Sequence, residues 1–204
     1  MKRFGLFLFA IVAIALMFSG TALAQGDASY YFVTYYSNNV SGAPDGTVRF
    51  INDGDTGTTL YADIYVFDDS QELQACGSCP ITPDGLLSED VKTQLTYNTC
   101  TTRVPARGVI KVISDSSSIG YAYGPSPTAG LRGWATHIQS AANKGAGPFT
   151  TTETPVADSN LGAYEDSGVE ALYELCFYAT IGSTGSGICS GGGTINCSAE
   201  DHDF

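Results

Sequence analysis

Six cysteines, Cys76, Cys79, Cys100, Cys176, Cys189 and Cys197, all lie downstream of a segment with the form of an export signal. That conjunction constrains the fold more than any other feature. Met1, Lys2 and Arg3 give a basic start, residues 4–18 are almost wholly apolar, and Ala22-Leu23-Ala24 supplies an A-x-A cleavage pattern before Gln25. These three features together predict a secretory signal peptide over residues 1–24. The apolar run is short for the ~20 residues of a membrane span, and no basic stop-transfer cluster follows it. In an oxidising compartment an even number of cysteines reads as a disulfide framework of up to three bridges. The most local pairing, Cys176 with Cys189, is the one the sequence suggests; the other four stay open.

Competing uses of the cysteines are weaker. Cys76-Gly77-Ser78-Cys79 has C-x-x-C spacing, but Pro80, Pro83 and Gly85 follow where a redox site would start a helix. A zinc site needs a second close pair or two nearby histidines, and His137 and His202 stand far apart in the chain. No metal and no cofactor is expected.

The mature segment reads as many short strands and one helix. Residues 28–36 are dense in β-forming aromatics, with Tyr30, Phe32, Thr34 and Tyr36 on one face and Tyr31, Val33 and Tyr35 on the other. Both faces are apolar, which predicts a strand covered on both sides. Residues 47–52 form a short strand. Residues 60–67 alternate most clearly, with Leu60, Ala62, Ile64 and Val66 opposite Tyr61, Asp63, Tyr65 and Phe67. Further strands are predicted at 109–113, at 131–138 with Trp134 as a core anchor, and at 149–156, where Pro155 favours a sheet edge. Ser167-Gly168-Val169-Glu170 has the form of a capping box, and Val169, Leu172, Tyr173 and Cys176 recur at helical spacing. One amphipathic helix over 168–179 follows, then a glycine-rich tail. The fold class is mainly β: an antiparallel β-sandwich, immunoglobulin-like or jelly-roll-like, with one C-terminal helix and a Gly/Cys-rich tail. Its divisions are a signal peptide (1–24), an N-terminal extended strand and hinge (25–45), a β-sandwich (46–165), and a helix with a disulfide-pinned tail (166–204).

Charge excludes a nucleic-acid partner. Lys and Arg number 9 against 21 Asp and Glu, and removal of Lys2 and Arg3 leaves a formal charge of −14. No basic face can form from so few scattered cations. Nor do the motifs name a reaction. Asp53-Gly54-Asp55-Thr56-Gly57 spaces carboxylates as calcium loops do, yet lacks the distal glutamate and reads as a turn. Asp68 and Asp69 would point to opposite faces if both were on a strand, so they would not flank one glycosidic bond. His137 has no serine in a G-x-S-x-G elbow to activate. Asn39-Val40-Ser41 and Asn196-Cys197-Ser198 match glycosylation sequons at Asn39 and Asn196.

Several blocks resemble a family of uncharacterised secreted bacterial proteins. They are Val48-Arg49-Phe50, Tyr65 to Leu73, Cys76-Gly77-Ser78-Cys79-Pro80-Ile81-Thr82-Pro83-Asp84-Gly85-Leu86, Leu131 to Gln139, and the tail from Leu175-Cys176-Phe177 to Gly185-Ser186-Gly187-Ile188-Cys189. The resemblance implies secretion and a shared β-rich fold, and no activity. Members often carry an additional cysteine beside the C-x-x-C and a C-x-C in the tail, which this chain lacks.

The functional expectation is therefore an extracellular structural protein, not an enzyme. Tyr30, Tyr31, Phe32, Val33, Tyr35 and Tyr36 would form an assembly strand that completes the sheet of a neighbouring copy, giving a surface or secreted filament with copies of itself as partners. The alternative is a secreted carbohydrate-binding or adhesion module that stacks neutral glycans on Tyr and Trp. A secreted hydrolase ranks third. No membrane contact is expected after signal cleavage.

Overall fold

The computed structural model describes residues 29–37, 42–118, 125–140, 149–158, 166–181, 195 and 197. The signal segment and the asparagines of both sequons lie outside them. Among the described residues nine strands form two antiparallel sheets packed face to face. One sheet runs β4 (Leu73–Ile81), β3 (Leu60–Asp68), β6 (Arg107–Asp115), β1 (Tyr31–Ser37) and β9 (Ala157–Asp158). The other runs β5 (Leu86–Asp90), β2 (Thr47–Asn52), β7 (Leu131–Ser140) and β8 (Phe149–Pro155). The expected β-sandwich is the observed architecture.

Alternation sets the core. Leu60, Ala62, Ile64 and Val66 are all fully buried and share one cluster between the sheets with Phe32, Tyr36, Val48, Phe50 and Leu131. The opposite face of the five-stranded sheet carries a second cluster, in which Tyr31, Tyr65, Cys76 and Ile113 meet Val169 and Cys176 of helix α1 (Asp166–Ile181). Thus β1 is covered on both faces near its start, by the facing sheet under Phe32 and by the helical layer over Tyr31. Coverage ends at Tyr35, which is 59% exposed. The Thr-rich β8 is an edge strand, as its proline requires.

Three strands, β4, β5 and β9, had no clear signal in the sequence. The C-x-x-C segment lies in the middle of β4, which runs on through Pro80, and residues 86–90 form β5. Pro80 is tolerated because β4 is an edge strand and is exposed there. A register shift between Val66 and Phe67 pairs Leu73 with Phe67 and Ala75 with Val66, leaving Gln74 as the extra residue. Leu73 is thereby turned to the helical side while Ala75 stays in the inner core.

The disulfide expectation is corrected. Cys176 bonds Cys76, not Cys189, and Cys79 bonds Cys197. Cys100 is disulfide-bonded as well. Proximity in sequence favoured the short loop, but the helix lies across β4, so Cys176 meets the strand instead. Such cross-links belong to an oxidising compartment.

Candidate functional site

The outer face of the four-stranded sheet is the surface with the most chemistry in view. On β7, Leu131, Gly133 and Ala135 are buried and face the core, so Arg132, Trp134 and Thr136 face outward, each half-buried. Trp134 is therefore not the core anchor that its size suggested. The reason lies across the sheet: Phe50 is paired with Gly133, and a side chain at 133 would overlap the Phe50 ring. Phe50, with Phe32 edge-on at 5.8 Å, fills the space that a tryptophan would have claimed. Small residues on the inner face of β7 are the consequence.

Pairing places Arg49 of β2 and Pro155 of β8 directly beside Trp134. Ile51 and Leu86 extend the apolar surface along β2 and β5, since Ile51 pairs with both Arg132 and Leu86. Charges on this face are matched. Arg49 Nη1 forms an ion pair with Glu153 Oε1, and Arg132 Nε lies 3.5 Å from Asp53 Oδ2. The Thr47 and Thr136 hydroxyls share a 2.7 Å hydrogen bond. The result is an indole flanked by an arginine–carboxylate pair and hydroxyls on an electrically balanced, pleated surface. Among the described residues no element packs across it; the helix lies on the other sheet.

The assembly-strand residues are distributed over both faces of β1 and its approach. Phe32 and Tyr36 point into the inner core, while Tyr30, Tyr31 and Val33 join the cluster beneath the helix. Tyr36 donates its hydroxyl to the Phe67 carbonyl at 3.1 Å, and burial together with Asp68 and Asp69 pushes its phenol pKa up. Tyr35 stacks on His137 with ring centroids 4.2 Å apart. Burial lowers the pKa of His137.

The acidic motifs are locally satisfied. Asp53 Oδ1 accepts the Asp55 amide, so the Asp53–Gly57 segment is a turn between β2 and β3. Asp69 lies just past the end of β3, so it does not oppose Asp68 as a strand residue would. Both line a cavity of about 260 Å³ together with Glu72, Gln74, Thr101 and Arg103. Within it Asp68 accepts the amides of Ser70 and Glu72 and the Gln74 side chain, while Asp69 takes Arg107. Among the described residues no group of three His, Cys, Asp or Glu could hold a metal ion.

A carboxyl that pattern reading passed over is Asp63. It is 2% exposed, beneath the helical layer, with Oδ1 lacking a hydrogen-bond partner. Burial raises its pKa to about 8, the Ser78 hydroxyl opposing the shift and Asp115 adding to it. Its only sequence signal was an acidic residue in the aromatic face of a strongly alternating strand.

No family model matches the chain, and no curated protein matches it. Among solved structures, one described as "Crystal Structure of Thermotoga maritima 1070" is similar at 12% identity, covering 65% of this chain and 97% of that one, with a TM-score of 0.43.

Proposed function

We propose that this is an extracellular, non-catalytic binding module that takes neutral polysaccharide on the outer face of its four-stranded sheet. The observation that carries the reading is Trp134, held half-exposed between Arg49 and Pro155 because Phe50 excludes it from the core. A pyranose ring offers an apolar C–H face and a rim of hydroxyls. Indole supplies a flat apolar surface for the first, and an arginine–carboxylate pair supplies adjacent donors and acceptors for the second. Pairing of Arg49 with Glu153 and of Arg132 with Asp53 leaves no local excess of charge, which favours uncharged sugars. The overall charge of −12 works against anionic ones. Export, read from residues 1–24, accords with the disulfides and with a ligand outside the cell.

The test is co-sedimentation of the mature chain with insoluble neutral glucans, mannans and xylans. Binding is expected to at least one, with an affinity loss of about tenfold or more in Trp134→Ala while circular dichroism stays unchanged. Binding that survives the substitution, or none to any neutral polysaccharide, would overturn the reading.

A further inference from the structure

We infer that β1 is an exchangeable strand, and that the groove it fills accepts the same strand from a second copy of this chain. Three observations lead there. First, β1 is an outer member of its sheet in all but name. Seven of its residues pair with β6, from Tyr31 against Ile113 to Ser37 against Arg107, while among the described residues its other edge pairs with the two-residue β9 at Phe32 and Val33. As the first element among the described residues, it can leave without interrupting any other strand described.

Second, β1 cannot remain solvated once it leaves. Phe32 and Tyr36 would come out of the inner core and Tyr31 out of the helical cluster, and the vacated groove would expose Ile110 and Val112 from β6. Two apolar faces of one strand demand a sheet on one side and a cover on the other, and an identical copy supplies both in the correct register. All contacts made in one chain are regained between chains, so exchange changes only the connection and the association entropy.

Third, the connection has a defined fixed end. Asp45 Oδ2 accepts the amides of Lys92 and Thr93, anchoring the approach to β2 on the single π-helical turn Val91–Leu95. Before it come Gly42, exposed with a positive φ of 79° and open space around its α-carbon, and Pro44. From residue 42 onward the approach to β2 is thus set by turn residues and by the Asp45 contacts. A net charge of −12 disfavours unspecific association of copies, which leaves the groove as the contact that outweighs repulsion.

The experiment compares the mature chain with Val33→Cys/Lys111→Cys. These positions are register partners on β1 and β6, so a cystine between them fixes the strand in its own groove. Both proteins are denatured with native disulfides intact, refolded at high protein concentration, and sized by light scattering before and after dilution. The mature chain is expected to form dimers or longer assemblies that persist on dilution. The variant whose intrachain cystine is confirmed by peptide mapping is expected to stay monomeric, at least a tenfold loss of assembled material. If the two introduced cysteines instead join across chains, that cystine would support exchange directly. A mature chain that is monomeric at every concentration overturns the proposal, as does a locked variant that associates equally.

Discussion

Cys76 and Cys79, three positions apart on one extended strand, lie in different cores. Cys76 is in the cluster under the helix and Cys79 in the cluster between the sheets. An odd separation along a strand sends side chains to opposite faces. Each therefore bonds a distant partner, Cys176 and Cys197, at sequence separations of 100 and 118. The C-x-x-C spacing is a structural double staple and not a redox pair. Non-reducing peptide mapping should recover the 76–176 and 79–197 cross-links and no Cys76–Cys79 bridge. Replacing Cys76 and Cys176 together by serine should cost about 2–4 kcal/mol, seen in denaturant unfolding. The loss of amide protection should begin in the helix, which that bridge ties to β4.

Phe50 and Trp134 should respond to truncation in the reverse order of their size. Phe50 is fully buried, so Phe50→Ala is expected to cost about 3–5 kcal/mol. Trp134 leaves its outer face open, and Trp134→Ala should cost no more than about 1–2 kcal/mol. Urea titration of the two variants decides between the observed facing and its reverse; a larger loss for Trp134→Ala would place that ring in the core.

Much of the fold was legible because alternation and turn residues act locally. The inner face of β3 and the bounds of β2 follow from such signals, and Pro155 marked the edge. The rest depended on partners far along the chain. Pro80, Pro83 and Gly85 read as turns and hid β4, in which Gly77 is needed because Ile195 of the tail packs against it, where a side chain would meet Ile195 Cγ1 at 2.5 Å. The two faces of β7 were readable from the pattern, but which one turns inward was set by Phe50, and hydrophobicity alone chose the wrong one. The face proposed for binding could not be read until that choice was known. An assembly role for β1, by strand addition to a neighbouring copy, was expected from its aromatics, while its pairing with β9 was not visible in the sequence.

Gly108 is a close-approach glycine. A side chain there would overlap the Phe67 carbonyl oxygen and sit 2.8 Å from Tyr36 Oη. Backbone cannot yield as a flexible side chain does, so Gly108→Ala should destabilise by about 1–3 kcal/mol. Tyr36→Phe, which removes only the hydrogen bond to Phe67, should cost about 1 kcal/mol. Urea titration of both variants checks the order. If exchange operates, the glycine variant should also assemble differently from the parent, because the overlap falls at the end of the β1–β6 ladder where Tyr36 pairs with Gly108.

Asp63 gives the protein a distinctive pH dependence. Its carboxyl is shifted from the usual 3.8 to about 8 by burial, with Asp115 adding to the shift and the Ser78 hydroxyl opposing it. Tyr65 and Tyr173 lie in the same region, and the Tyr65 phenol is itself pushed up by burial and by these carboxylates. The folded state therefore holds a proton that the unfolded chain gives up at lower pH. Between those two values the folded state binds more protons, so this group's contribution to stability falls as pH rises through the interval. Asp63→Asn keeps the shape without the ionisation. Thermal melts of both proteins from about pH 4.5 to about pH 8.5 should show the parent losing stability relative to the variant across that range, with the variant ahead by roughly 1–3 kcal/mol at the alkaline end. Groups common to both cancel in the difference, so parallel curves would show that Asp63 is ionised in the fold throughout.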